Sequence, residues 1–110
     1  MGYETIEFQV SEHGVAHLTL NRPQVKNAMN GAMYDEARAV VAAVDADPAV
    51  RVLVLTGAGD AFCSGGDFQY QQSQRGRKHA DRIAEASKLA LWLHELDTLS
   101  KPVVGRINGP

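Results

Sequence analysis

The stretch from Val52 to Phe68, where an apolar run leads into a glycine-rich turn, most constrains what this chain can fold into. The four residues Val52–Leu55 are all apolar, which is typical of a strand covered on both faces of a sheet. Further on, the adjacent glycines Gly65 and Gly66 allow a tight turn that leaves backbone N–H groups accessible. The sequence therefore predicts a buried strand followed by a turn that binds an oxyanion.

Two strands are predicted before this stretch and one near the end of the chain. Apolar and polar residues alternate in Thr5–Val10 and again in Ala16–Leu20, and residues 11–14 between them have the composition of a hairpin loop. An antiparallel hairpin is the simplest account of this pattern. A further short strand is predicted at Val103–Ile107. The central strand at Val50–Leu55 follows a helix, so we expect it to be parallel to a neighbour or to cross over to reach it.

Two amphipathic helices are predicted between these strands. Asn30 is suited to cap the first helix, whose apolar residues at helical spacing are Met33, Ala37, Val40, Val41 and Val44. The second helix is predicted over Ala80–Asp97, and we expect one side of it to be well buried along Ile83, Ala86, Ala90, Leu93 and Leu96. The polar stretch Gln69–Arg77 has no apolar face and is interpreted as a mobile connection.

Composition places the chain among ordinary globular proteins and predicts at most one domain. Its 110 residues are 45% hydrophobic and 22% charged, and a net charge of −2 gives no general attraction to nucleic acid or to an acidic membrane surface. The single cysteine, Cys63, excludes an internal disulfide and a multi-cysteine zinc site and fits a reducing compartment. No apolar run approaches the roughly 20 residues of a membrane span, and no signal peptide is recognisable, so a cytoplasmic location is predicted.

The residues of the glycine-rich stretch do not match the common nucleotide-binding motifs, and they favour structural over catalytic roles for Cys63 and Asp67. A dinucleotide-binding fingerprint would need glycine where Phe62 stands, and a P-loop would need lysine after Gly66, where Asp67 stands. Cys63 is read as a packed residue rather than a nucleophile, because nothing places a histidine near it. Asp67 is a candidate either for catalysis or for a helix N-cap, and the cap is favoured. The four histidines share no metal-ligand spacing, so no metal site is predicted.

Several segments together resemble the crotonase superfamily, the enoyl-CoA hydratases and isomerases. In chain order they are Asn21-Arg22-Pro23 with Lys26-Asn27-Ala28, then Val52–Gly57, then Phe62–Phe68, then Lys101–Val104 leading to Asn108-Gly109. Their order and spacing match across nearly the whole chain, and Asp81–Arg106 most resembles the methylglutaconyl-CoA-type hydratases. The resemblance implies an α/β fold of the crotonase type, a spiral of ββα units, of which this chain would supply the N-terminal part.

The resemblance also implies a function. It points to an acyl-CoA-processing enzyme, in the first place an enoyl-CoA hydratase that adds water to a 2,3-unsaturated acyl-CoA. The backbone N–H of Gly66 would be one of two donors that hold the thioester oxygen, at a position where the family usually has alanine. The coenzyme A thioester would be the substrate, with no permanently bound cofactor, and a homo-oligomer, a trimer or a dimer of trimers, is implied. Residues implied to line the coenzyme A site are Lys26, Ala28, Ser64, Gly65, Gly66, Asp67 and Phe68.

The resemblance leaves the reaction type open. In the family the second oxyanion donor and the acid/base glutamates follow the Asn-Gly motif, so residues 1–110 are expected to end before them and to be inactive alone. Glu85 and Glu95 do not occupy those positions and are interpreted as solvated helix residues. The alternatives are an isomerase, decarboxylase or thioester hydrolase of the same superfamily, or a non-catalytic fragment that binds coenzyme A or a partner.

Overall fold

A computed structural model describes residues 2–110, which form one mixed four-stranded sheet and three helices. Strand β1 (Ile6–Val10) pairs antiparallel with β2 (Val15–Leu20). Strand β3 (Val52–Gly57) lies parallel to β2, and β4 (Val103–Arg106) lies parallel to β3, so the spatial order is β1-β2-β3-β4. The predicted hairpin and the predicted parallel central strand are confirmed.

The helices are α1 (Gly31–Ala46), α2 (Phe68–Ser73) and α3 (His79–Asp97), and a short 3-10 helix covers Pro23–Val25. Two of them match predicted helices. Helix α2 begins at Phe68 and covers the first part of the polar stretch Gln69–Arg77, so the interpretation of this stretch as a mobile connection missed a helix. Within residues 2–110, no helix combines the length and the apolar character that a membrane span requires.

Helix α1 packs on the sheet with the predicted apolar stripe. The Asn30 side chain caps it by accepting a hydrogen bond from the N–H of Met33 at 3.0 Å, which satisfies one of the free donors of the first turn. The stripe is buried together with inward-facing residues of the strands: Met33, Ala37, Val40, Val41 and Val44 of α1, and Ala16, Leu18, Leu20, Leu53 and Leu55 of the sheet. The predicted capping and the predicted apolar face of this helix are confirmed.

The apolar run of β3 is fully buried on one face only. Leu53 and Leu55 belong to the core, whereas Val52, Val54 and Thr56 on the opposite face are half-buried. The prediction that both faces are covered is therefore wrong for the described part of the chain. The reason is that α1 covers one face of the sheet, and the described residues place no comparable apolar layer on the other.

Helix α3 does not bury its predicted stripe. Trp92 is the only fully buried residue of this helix, and it meets Tyr34 edge to face with ring centroids 6.3 Å apart. Ile83 and Leu93 are 53% and 52% exposed. The helix instead faces α1 largely with charged side chains, including Glu95, so the prediction of a buried apolar side was wrong.

Candidate functional site

Two asparagine side chains shape the turn that leaves β3. The completely buried Asn27 donates hydrogen bonds to the carbonyl oxygens of Ala58 and Ala61, at 3.0 and 2.9 Å. Asn108 donates to the carbonyl oxygens of Gly59 and Ala61, at 3.0 and 3.1 Å. Both side chains therefore converge on one carbonyl group from distant parts of the chain. In the sequence, both asparagines stand out only as parts of motifs, and no local pattern indicates their role.

The backbone around Gly66 forms a short parallel bridge with Met29. The N–H of Met29 donates to the oxygen of Gly65 at 2.8 Å, and the N–H of Asp67 donates to the oxygen of Met29 at 2.9 Å. In a parallel bridge of this kind the N–H of the central residue, here Gly66, points away from the partner segment. Across residues 2–110, the N–H of Gly66 donates to no protein acceptor. The exposed Gly66 therefore presents a fixed and unused donor.

The conformation of this turn depends on glycine at its first position. Gly65 has φ of +106°, a region that residues with a Cβ rarely adopt. Gly66 has no such φ, but a Cβ there would lie 2.5 Å from Nε2 of Gln71. The amide end of Gln71 therefore occupies the space that an alanine side chain would need. Because this amide is the end of a flexible side chain, it could move aside.

Asp67 is fixed on two sides. One oxygen accepts a hydrogen bond from the N–H of Tyr70 at 2.9 Å, which caps α2, and the other lies 2.8 Å from Nη1 of Arg22. The bond from Tyr70, followed by the bond from Arg22, holds the pKa of Asp67 below its ordinary value. The favoured N-cap interpretation is confirmed, and Arg22 is the ion-pair partner of the cap.

The structure brings Lys26 together with the glycine turn. The N–H of Ser64 donates to the carbonyl oxygen of Lys26 at 3.0 Å, and the Lys26 ammonium group reaches Asp60 at 3.1 Å. Phe68 is 67% exposed next to the turn, whereas Ala28 is buried. The residues implied for coenzyme A binding thus occupy two neighbouring segments, 26–28 and 64–68. The Lys26 side chain is exposed to solvent beside them.

A cavity of about 450 Å³ lies beside Gly66, between α1, α2 and α3. Most of its accessible wall is apolar, although polar side chains also contribute to it. The apolar lining residues are Met29, Tyr34, Ile83, Ala86 and Leu89, and the polar ones are Tyr70, Gln71, Gln74, His79, Arg82 and Glu85. Tyr70 and Gln71 are site residues that the sequence does not predict, because no apolar pattern marks α2 or indicates which way its side chains point.

A tyrosine–carboxylate pair forms part of the cavity wall. The Tyr70 hydroxyl donates a hydrogen bond to the Glu85 carboxylate, and Nζ of Lys88 lies 3.1 Å from Glu85 and 3.0 Å from Asp35. The Tyr70 hydroxyl, followed by Lys88, lowers the pKa of Glu85 despite partial burial. Burial, and then the bond to Glu85, raises the pKa of Tyr70.

The interpretation of the two α3 glutamates as solvated was wrong. The side chains of Glu85 and Glu95 are only 21% and 30% exposed, and each is held by a partner: Tyr70 and Lys88 for the first, Arg38 for the second. Because its ionised form is stabilised by two donors, Glu85 is a weak proton acceptor. Cys63 is partly buried and packs against the core, as its packed interpretation predicted. Residues 2–110 contain no group of three potential metal ligands.

Comparison with known families and sequences gives a consistent result. Residues 10–110 match the family model described as enoyl-CoA hydratase/isomerase. The chain is 48% identical to a probable enoyl-CoA hydratase of Rhodobacter capsulatus, over 99% of this chain and 40% of that protein. It is 34% identical to the crotonyl-CoA hydratase of Syntrophomonas wolfei, over 99% of this chain and 41% of that protein. The chain therefore spans about two fifths of the length of these relatives.

Solved structures give the same picture of the fold. The Pseudomonas aeruginosa protein AtuE superimposes with a TM-score of 0.90 and 39% identity, over 96% of this chain and 41% of that one. An enoyl-CoA hydratase/isomerase of Xanthobacter autotrophicus superimposes with a TM-score of 0.89 and 33% identity, over 99% of this chain and 40% of that one. The described elements thus match about two fifths of each of these larger structures.

Proposed function

This chain belongs to the enoyl-CoA hydratase/isomerase family and has the crotonase fold, and from this premise we propose that the N–H of Gly66 holds the thioester oxygen of an acyl-CoA. The observation that carries the proposal is the unused donor of Gly66 beside a largely apolar cavity. Addition to a conjugated thioester, or deprotonation next to its carbonyl, places negative charge on that oxygen. A donor fixed before the reaction stabilises this charge by several kcal/mol.

The acyl chain and the coenzyme A part would lie on opposite sides of Gly66. The cavity of about 450 Å³ falls within the range of roughly 300–1,000 Å³ that small-molecule sites occupy, and its apolar wall suits an acyl chain. The segment with Lys26 and Ser64 would face coenzyme A, where an ammonium group favours the phosphates. Ala28, Gly65, Asp67 and Phe68 complete the proposed coenzyme A site. Asp67 contributes to this site by stabilising the turn and not by contacting coenzyme A, because its carboxylate already binds the Tyr70 N–H and Arg22.

The proposed reaction is hydration of a 2,3-unsaturated acyl-CoA, in line with the names of the relatives. Glu85 is the carboxylate of the cavity, but its lowered pKa and its two partners make it a poor proton-transfer group. We therefore place the acid/base groups outside residues 2–110 and propose that this chain is inactive by itself. Because it spans about two fifths of its relatives' length, other segments are available in them for that role.

The assembly proposed by family analogy is a homo-oligomer, either a trimer or a dimer of trimers. The exposed apolar side chains of α3 outside the cavity, such as Leu91 and Leu93, are a surface that other segments or copies could cover. The substrate would be the coenzyme A thioester, without a permanently bound cofactor.

The experiment that tests the role of Gly66 compares two substitutions in a catalytically active form of the protein. Gly66→Pro removes the N–H and is expected to lower kcat for crotonyl-CoA hydration by at least about 100-fold. Gly66→Ala keeps the N–H and requires only that the Gln71 amide move, so it is expected to retain most activity. Turnover is followed by the loss of absorbance of the conjugated thioester, after circular dichroism has shown that both variants fold.

Unchanged turnover in Gly66→Pro would contradict the proposed donor. A protein that binds crotonyl-CoA but leaves it unaltered would favour the non-catalytic alternative. Formation of a product other than 3-hydroxybutyryl-CoA would favour an isomerase or a thioester hydrolase.

A further inference from the structure

Tyr70 stands between two cavities. The first, called here the main cavity, is the space of about 450 Å³ beside Gly66. The second, called the side cavity, has a volume of about 350 Å³, is more open and lies between the Arg22–Asp67 ion pair and the start of α1. Tyr70 is the one residue of the described chain that lines both. Its side chain therefore forms part of the partition between them.

The hydroxyl of Tyr70 is fixed at its far end. It donates to Glu85 on α3, and Lys88 holds the same carboxylate at 3.1 Å. Hydrogen bonds to an ionised acceptor are stronger than those between neutral groups, so this bond resists displacement of the Tyr70 side chain. The contact ties the short helix α2 to α3, and it spans the space beside the first turn of α1.

The side chains of Tyr70 and Glu85 pack against Gly31, the first residue of α1. A Cβ at Gly31 would lie 3.0 Å from Cε1 of Tyr70, 3.1 Å from its hydroxyl oxygen and 3.2 Å from Oε2 of Glu85. An alanine at this first residue of α1 would therefore displace Tyr70 and Glu85 by a few tenths of an ångström. The φ angle of Gly31 lies outside the region that requires glycine, so it is the close contact with Tyr70 and Glu85 that favours glycine at this position.

From these contacts we propose that the Tyr70–Glu85 pair is a specificity-determining partition that limits the length of the acyl chain. The inference rests on the proposed function, because it assigns the acyl chain to the main cavity. While the ring is held, the chain is confined to that cavity. When the ring is absent or released, a longer chain gains access to the side cavity. Tyr70 would contact the end of the acyl chain, and Glu85 would act only by positioning Tyr70.

The test uses a catalytically active form of the protein. It measures kcat/KM for trans-2-decenoyl-CoA and for crotonyl-CoA and takes the ratio of the long to the short substrate. Tyr70→Ala removes the partition and is expected to raise this ratio at least about tenfold. Tyr70→Phe keeps the ring but loses the bond, and a smaller increase is expected. Gly31→Ala pushes the pair toward the main cavity and is expected to lower the ratio, which is the opposite direction.

Two variants of Glu85 separate positioning from general structural damage. Glu85→Gln retains an oxygen that can accept from the Tyr70 hydroxyl and should leave the ratio near that of the unaltered protein. Glu85→Ala cannot accept and should behave like Tyr70→Phe. Thermal unfolding identifies any variant that fails to fold. The ratios of kcat/KM are then compared among the variants that do fold. An unchanged ratio in folded Tyr70→Ala, or equal ratios for Glu85→Gln and Glu85→Ala, would overturn the proposal.

A binding experiment tests the partition formed by Tyr70 independently of the proposed role of Gly66 in catalysis. Calorimetry with the non-hydratable analogues butanoyl-CoA and decanoyl-CoA gives the ratio of their dissociation constants without any turnover. A Tyr70→Ala variant that favours decanoyl-CoA at least about tenfold more than the unaltered protein does would support the partition, even if hydration is never observed. The same ratio in both proteins would contradict the partition while leaving the role of Gly66 untouched.

Discussion

Helices α1 and α3 carry similar apolar stripes but use them in opposite ways. The stripe of α1 is buried against the sheet, with Met33 and Val40 completely inaccessible to solvent. On α3, Ile83 and Leu93 of the stripe are about half exposed, and the helix contacts α1 through ion pairs and one buried aromatic residue, Trp92. An apolar stripe thus shows that a helix has a face to bury, but it does not identify the element that covers it.

The largest expected effect tests this contrast directly. Met33→Ala should lower the free energy of unfolding of the chain by about 2–5 kcal/mol, because it leaves a cavity in the core. Leu93→Ala, at a site 52% exposed, should change it by less than about 0.5 kcal/mol. Urea denaturation at several protein concentrations measures both. Comparable losses for the two variants would show that the α3 stripe is covered in solution and would contradict the described contrast.

An effect of intermediate size is expected at the buried Asp67–Arg22 pair. Asp67→Asn keeps the cap but loses the charge, and should reduce the free energy of unfolding at pH 7 by about 1–2 kcal/mol. Because the pKa of Asp67 is lowered in the folded state, its stabilising contribution is present above its unfolded pKa of about 3.9. The contribution is lost as the pH falls through the lower folded value.

Urea denaturation between pH 7 and pH 2.5 checks this pH dependence. The unaltered chain should lose more stability over the acid range than Asp67→Asn does. Parallel pH profiles for the two proteins would contradict the assignment of Asp67 as an ionised, hydrogen-bonded cap.

The smallest effect is expected for the partly exposed pair that joins the two helices. Arg38 lies 2.6 Å from Glu95, and the two side chains are 32% and 30% exposed. A double-mutant cycle with Arg38→Ala and Glu95→Ala should give a coupling free energy below about 1 kcal/mol that decreases with added salt. A coupling free energy that is larger and independent of salt would indicate that this surface is drier than the structure shows.

Much of the fold was predictable because its signals are local. Alternation gave the hairpin, helical spacing gave α1 and α3, and Asn30 was recognised as a cap because its side chain bonds within one turn. The polar helix α2 was missed, because no apolar stripe marks it and its cap, Asp67, had two interpretations.

The candidate site was predictable only in part. The glycine pair indicated an anion-binding turn, whereas the unused N–H of Gly66 depends on its bridge with Met29, a contact between distant segments. The position of Glu85 in the cavity could not be read from sequence either, because it depends on Tyr70 and on the bare surface at Gly31. Residues whose roles arise from tertiary contacts leave no periodic signal in the chain.

The central claim is that the free N–H of Gly66 donates a hydrogen bond to the thioester oxygen of the acyl-CoA. Nuclear magnetic resonance on protein labelled with ¹⁵N-glycine tests this claim most directly. The chain has ten glycines, so the amide signals of Gly65 and Gly66 can be assigned with single-site variants. Titration with butanoyl-CoA is expected to move the Gly66 amide proton strongly downfield, as a new hydrogen bond to the thioester forms. Coenzyme A without an acyl group should leave that signal nearly unchanged. A Gly66 amide proton that does not respond to saturating butanoyl-CoA would contradict the claim.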